Sequence, residues 1–403
     1  MTVRENIGDA CAWPVCASLR PLAEKRIRQS LASQCERVPL FVILIDMKNR
    51  FLPSLSGSLV AAMLTSVMLT ACGGGSDSAV DTAATGKSAA LPKSTAKAAS
   101  GNGSIFYGMN GHNTNGGAYD FTSPQTQLAQ LQELGATIYR NDVYSQTSAN
   151  MLAGIAKTME DGGVTMYPVM LLTLNYNSEN EAYDAGFKLG QLTAKSYPYK
   201  YYEVGNELEA KALNGNVDGT VWHQYNNWSF MLARGVMRGM IAGVKSVDAS
   251  AKIVLGGTWL HTAFFQMLAD GSQPDGTWGH PTVNWDVTSW HWYSSQGDIT
   301  HACGGTGCHD VLQILHDMGK PIWINEFGVR PDYGSYNQIA AYITGNTMMA
   351  QFASVASKYN IQSIQAFQLY DDGEGAYGLL EGDGASKKAA YWAYKDFVQN
   401  HPM

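Results

Sequence analysis

Charge is scarce in this chain. Asp, Glu, Lys and Arg make up only 15% of its 403 residues, against about 25% in an average soluble protein. The balance is acidic, at net −7, and no Lys/Arg cluster stands beyond short runs near the N-terminus. The electrostatic footprint of a polyphosphate chain is therefore missing, and nucleic acid is not an expected partner. Cysteine is sparse as well: six residues, three of which (Cys11, Cys16, Cys35) lie in the first 46 positions. A disulfide-dense small scaffold is thereby excluded. What replaces charge is aromatic surface, with 21 Tyr, 10 Trp and 12 Phe. Such rings can fill a large core or lie against the apolar faces of sugars.

The chain has an address at its start. Residues 47–72 place Lys48 and Arg50 before an apolar stretch that ends in small residues and a cysteine, the layout of a secretory signal. Leu69-Thr70-Ala71-Cys72 resembles a bacterial lipobox, in which Cys72 becomes the lipidated first residue of the mature protein and several acyl chains give a stable anchor. A plain membrane-spanning anchor is the alternative, since Phe51 to Ala71 is about long enough. The Ser and Thr residues within that stretch favour the cleaved signal. A signal belongs at a chain's beginning, so residues 1–46 are expected to be an upstream extension, with Met47 the true start. Residues 73–103 are Gly, Ser, Ala, Thr and Lys with almost no large apolar side chain, too little to offset ordering entropy, and are expected to be a flexible linker. The localisation expected is a bacterial envelope, with the chain exported, lipid-anchored and monomeric. After this division only Cys303 and Cys308 remain, flanking a Gly-rich loop. A local disulfide is expected; zinc bound with His301 and His309 is the other reading, disfavoured by so short a loop.

From Ser104 onward short β-rich runs alternate about eight times with amphipathic helical ones, which predicts a (β/α)8 TIM barrel over residues 104–403. Strands are expected at 105–110, 137–141, 165–171, 201–204, 252–256, 287–291, 322–325 and 363–369. Helical periodicity is longest at 125–134, 222–247, 337–358 and 387–398. An open doubly wound sheet would want a Gly-rich phosphate loop after the first strand. Asn110-Gly-His-Asn-Thr-Asn-Gly116 is not one, and no cofactor is expected. In a barrel, chemistry sits at the C-terminal ends of the strands. The polar residues there are Asn110, His112, Arg140, Asp142, Asn206, Glu207, His291, Tyr293, Glu326, Tyr370 and Asp371, joined by Trp259. Metal-dependent hydrolysis would want His-x-His on strand one, and Schiff-base chemistry a Lys at a strand end; neither is found, and no metal is expected.

Two glutamates stand out. Glu207 ends Tyr201-Tyr-Glu-Val-Gly-Asn-Glu207 on strand four, and Glu326 ends Pro321-Ile-Trp-Ile-Asn-Glu326 on strand seven. Acetal cleavage needs a proton for the leaving oxygen and an anion facing the oxocarbenium-like carbon, which two carboxyl groups supply. With Asn206-Glu207 on strand four, Glu326 on strand seven, His291-x-Tyr293 on strand six and Arg140 on strand two, residues 104–403 resemble clan A of the retaining glycoside hydrolases, nearest families 5, 39 or 51. The resemblance implies that Glu207 is the acid/base, with a raised pKa, and Glu326 the nucleophile. It further implies that Arg140 and Tyr293 orient Glu326, that Asn206 holds a sugar 2-hydroxyl, and that His291 lines the site. Leu208 stands where many members have Pro, and Tyr370 is expected where Trp often floors the sugar site. Trp259 and Trp292 are candidates for stacking on sugar, and Asn110 and His112 for supporting contacts. The function expected is hydrolysis of a glucan, xylan, mannan or exopolysaccharide; the competing reading is a non-catalytic carbohydrate-binding surface lipoprotein built on the same barrel.

Overall fold

A computed structural model describes residues 104–403; the upstream extension, signal, lipobox cysteine and linker expected above lie outside the described residues. The barrel strands are β1 (Tyr107–Gly111), β2 (Ile138–Val143), β3 (Thr165–Met170), β4 (Tyr201–Val204), β5 (Lys252–Thr258), β6 (Val287–Tyr293), β9 (Ile322–Gly328) and β10 (Ile361–Ala366). All pair in parallel and close in the order β1-β10-β9-β6-β5-β4-β3-β2. This is the (β/α)8 barrel that the alternation predicted. Between β6 and β9 sits a small antiparallel hairpin, β7 (Ala302–Gly304) and β8 (Gly307–His309), closed by a Cys303–Cys308 disulfide. Its sulfurs are thus not thiolate ligands. Asp218, in the loop after β4, accepts hydrogen bonds from the Thr306 backbone N–H at 2.7 Å and hydroxyl at 2.8 Å, which ties the hairpin to a loop two strands away around the barrel.

The helices are α1 (Ala118–Phe121), α2 (Pro124–Leu134), α3 (Gln146–Asp161), α4 (Glu179–Ser196), α5 (Asn227–Lys245), α6 (Thr262–Asp270), α7 (Val311–Asp317), α8 (Tyr336–Ile343), α9 (Met349–Tyr359) and α10 (Ala389–Asn400). Local chemistry sets their ends. Ser123, Ser145, Ser178 and Asn226 each accept an N–H of the first turn of α2, α3, α4 and α5, satisfying a donor that the helix cannot. Two long periodic stretches prove to be interrupted. The one at 222–247 begins as a short 3-10 turn, Trp222–Gln224, and restarts where Asn226 caps α5. The one at 337–358 breaks between α8 and α9 at Thr344–Met348, where Gly345 weakens the helix.

Strand alternation sorts side chains between two cores. Ile138, Tyr167, Val254, Val287 and Trp323 form a buried plug within the barrel, while the larger cluster, including Tyr139, Trp290, Trp292 and Phe327, packs between strands and helices. Above the plug the same inward positions turn polar. Helices α4 and α5 meet at backbone contact because glycines line both: a Cβ at Gly239 would lie 2.0 Å from the Tyr183 carbonyl oxygen, and one at Gly190 2.2 Å from that of Met240. Gly239→Ala is expected to destabilise the protein by about 1–3 kcal/mol, the usual cost of forcing extra volume into a filled contact. A urea midpoint equal to wild type would show that the two helices can move apart freely.

Candidate active site

The site is built around a guanidinium. Arg140 follows Ile138 by two residues on β2 and therefore points into the barrel, where it is buried. Its Nε and Nη2 donate to the two oxygens of Glu203 at 2.6 and 3.1 Å. Nη2 also donates to the Asn206 amide oxygen at 2.7 Å, and Nη1 to Asn110 at 2.9 Å and to Glu326 at 3.1 Å. All five donors of the fork are spent. Glu203, two residues after Tyr201 on β4, is buried and takes a further bond from Asn325 at 3.0 Å. Burial alone would lower the Arg140 pKa, but Glu203 and Glu326 outweigh it and hold the group cationic.

Glu326 reaches the cavity because β9 is irregular. Ser289 pairs with Trp323 and His291 with Glu326, so three residues of β9 oppose two of β6 across a register shift. Trp323 lies in the inner plug and Asn325 bonds inward to Glu203, so strict alternation would send Glu326 outward. The bulge turns it inward beside Asn325 and leaves Phe327 to pack on Phe352 of α9, with ring centroids 5.7 Å apart. There Tyr293 donates its hydroxyl to the carboxylate, opposite the Arg140 contact. Burial first, and then the Glu326 charge, push the Tyr293 hydroxyl well above its ordinary pKa, so it stays a donor.

Glu207 arrives from the other side. The chain leaves β4 at Val204, turns through Gly205 and holds Glu207 at φ 46°. That left-handed conformation costs on the order of 1–3 kcal/mol outside glycine and persists only where the surroundings enforce it. His291, buried on β6, bridges the two acids: its Nδ1 is 2.9 Å from Glu207 Oε1 and 3.4 Å from Glu326 Oε2. One ring nitrogen and one oxygen from each glutamate lie within 4.8 Å of one another. These three groups match a divalent cation in spacing, but the guanidinium 3.1 Å from Glu326 would repel one. Burial disfavours the charged imidazole, yet the Glu326 and Glu207 charges and the hydrogen bond to Glu207 push its pKa up to about 9. Burial likewise opposes ionisation of Glu207, but the His291 bond and charge prevail and hold its carboxyl below the ordinary value. The raised Glu207 pKa expected from its assigned role is therefore not found in the unliganded site. The arrangement favours the proton on the His291 imidazole.

These groups open on a cavity of about 360 Å³ at the C-terminal end of the barrel, lined also by His112, Asn115, Asp142, Phe367, Glu374 and Tyr377, a size suited to a small ligand. His112 Nδ1 is 2.6 Å from Asp372, and its Nε2 is 4.0 Å from Asp142. Arg140, Asn206, Glu207, Tyr293, Glu326 and His112 all face this cavity. Other nominees do not. Asn110 is buried behind Arg140 and donates to the Asn325 and Ala366 carbonyls. Tyr370 is buried against Tyr119 and bonds Gln130 of α2; the eighth barrel strand instead sends Phe367 into the cavity, in phase with inward Ser363 and Gln365. Trp292 lies on the face of β6 opposite His291 and is fully buried, donating to the Gly297 carbonyl. Trp259 packs on the core at the end of β5 and does not line the cavity. Sequence reading passed over Glu203, Asn325, Asn115, Asp372, Phe367, Glu374 and Tyr377. A charged residue two positions after Tyr201 inside an apolar strand was the available signal for Glu203.

No family model and no curated protein matches the sequence. Solved structures do resemble it in fold. The chain is similar to the β-glycosidase of Thermosphaera aggregans, with TM-score 0.55 and 9% identity over 74% of this chain and 96% of that one. It is also similar to the β-glucosidase of Thermotoga maritima, with TM-score 0.52 and 11% identity over 75% and 99%. A third is virulence factor SghA from Agrobacterium tumefaciens, with TM-score 0.53 and 11% identity over 75% and 98%. At these identities the likeness is one of fold.

Removing Arg140 leaves Glu203 buried without its cation. Arg140→Gln is expected to lower stability by about 3–5 kcal/mol, the cost of breaking a buried ion pair on one side. Chemical denaturation reads this directly, and a change within 1 kcal/mol, an order-of-magnitude limit set by exposed pairs, would remove the pair from its structural role.

Proposed function

We propose that this chain is a retaining glycoside hydrolase that cleaves O-glycosidic bonds of a polysaccharide or oligosaccharide. The observation that carries the reading is the pair of carboxylates from β4 and β9 facing one cavity with oxygens within 4.8 Å. Retaining enzymes hold their two carboxyl groups about 5–5.5 Å apart, and inverting ones about 6.5–9.5 Å. The cavity's form supports catalysis over binding alone, because Glu326 is oriented from both sides by Tyr293 and Arg140.

In the first step a Glu326 oxygen bonds to the anomeric carbon, the bond to the leaving oxygen breaks, and that oxygen takes a proton from Glu207. In the second, water attacks the same carbon and gives its proton to Glu207 while the glycosyl ester to Glu326 breaks. Two inversions return the original configuration. Asn206 gives its amide oxygen to Arg140, which leaves the NH₂ group for the sugar 2-hydroxyl. The first step needs one proton on the Glu207–His291 pair. In the free site His291 stores it, and substrate, by displacing water around Glu207, favours the neutral acid and draws it across. The lipobox-like Leu69–Cys72 supports placing the enzyme on a lipid anchor at the bacterial envelope.

Glu326→Ala is expected to lose at least about 10³-fold in kcat, as removal of a nucleophile does, with sodium azide restoring turnover as a glycosyl azide of inverted configuration. Undiminished cleavage by the variant would sink the assignment. The pH dependence tests the proton's address. His291 holds its proton below its raised pKa of about 9 and releases it above, so wild-type kcat/KM should fall on the alkaline side near that value. In His291→Asn the alkaline limb should move toward the carboxyl range, by two pH units or roughly more. A limb that stays in place would show that Glu207 keeps its proton unaided.

A further inference from the structure

We infer that the sugar bound next to Glu326 carries no anionic group: the enzyme takes an uncharged glycone and rejects uronic acids and sulfated or phosphorylated sugars. This rests on the hydrolase reading above and adds a substrate class to it. The cavity wall is predominantly acidic. Asp142, Glu207, Glu326 and Glu374 all line it, and the basic residues lining it are Arg140 and His112. A carboxylate is recognised through unspent N–H donors, best a guanidinium fork. Arg140 has none left, its five donors being committed to Glu203, Asn110, Glu326 and Asn206. His112 is held by Asp372 at 2.6 Å on Nδ1, and its Nε2, 4.0 Å from Asp142, keeps one donor under the field of that second carboxylate. An incoming carboxylate would meet four like charges, Asp142, Glu207, Glu326 and Glu374, against two cations that each already face acids.

The same wall suits a neutral ring. Asp142 is fixed by Asn115 Nδ2 at 2.9 Å, and as a buried acceptor beside His112 it can take sugar hydroxyl protons while the imidazole donates. Beside His112, whose ring packs edge to face on Phe367 with centroids 5.3 Å apart, Phe367 and Tyr377 meet in turn edge to face at 5.5 Å and 73°, forming an apolar corner for the C–H face of a sugar. Asp142 and Glu374 are the specificity-determining residues, Asp142 within the wall and Glu374 exposed at its mouth.

The test compares the full chain on matched 4-nitrophenyl hexosides and hexuronides, gluco with glucurono and galacto with galacturono, in both anomers. Each hexuronide is expected to show kcat/KM lower than its neutral partner by roughly 100-fold, the scale of an unanswered like-charge contact. Glu374→Arg, an exposed change, should raise the uronide-to-hexoside ratio by about tenfold, one close charge reversed, with an unaltered melting temperature. A hexuronide cut as well as its partner would overturn the inference and leave the hydrolase reading standing. Cleavage of none of these, nor of longer glycans, would defeat the hydrolase reading. The charge rule is then read by saturation-transfer NMR with cellotetraose, xylotetraose, mannotetraose and tetragalacturonate: a neutral tetramer as the strongest ligand supports it, and tetragalacturonate as the strongest, or no saturable binding at all, defeats it.

Discussion

One guanidinium organises the upper half of this barrel. Arg140 joins β2 to β4 through Glu203, to β9 through Glu326, to β1 through Asn110 and to the β4 loop through Asn206. Charges in a low-dielectric interior are tolerated only when paired and hydrogen-bonded. Glu203, Glu326, Asn110 and Asn206 take their positions from that requirement. Because Glu203 answers the cation from within the wall, Glu326 keeps a carboxylate facing the cavity. Because Asn206 is held by its oxygen, its NH₂ group is left for a ligand.

The second organising element is His291, which places one shared N–H between two acids. Its proton lessens the repulsion of two nearby carboxylates, and its raised pKa follows from their charge. The strained backbone at Glu207 and the bulge at Glu326 serve the same end. Each departs from regular geometry to bring one carboxylate to a shared point. Regular strands alone would have left Glu326 among the helices.

Much of the fold was legible because the barrel is periodic. Short β-rich runs and amphipathic stretches alternate along Ser104–Met403, and every predicted strand exists within a few residues of its place. Glu207 and Glu326 were nominated because ionisable groups at the ends of apolar strands need a reason to be there, and both face the cavity. The misplaced residues had a common cause. Trp292 and Tyr370 were nominated for nearness to a strand end, while the two-residue alternation of side chains decides which face they share. Applied to β6, it puts Trp292 opposite His291 and Tyr293; applied to β10, it carries the inward phase from Ser363 and Gln365 to Phe367.

The sequence by itself determined the barrel and nominated Glu207, Glu326 and their Arg, His and Tyr companions, since each is a matter of residue type and local period. Only the tertiary structure decided the register shift that turns Glu326 inward, the Glu203 carboxylate that takes two of the five Arg140 donors, and the His291 contact that favours a proton on the imidazole over Glu207. The physical reason is that these depend on partners as far as 186 residues away in the chain, the separation of Arg140 and Glu326. A hydrogen-bond register and a buried ion pair are properties of neighbouring strands, and one strand's sequence carries only its own half of them.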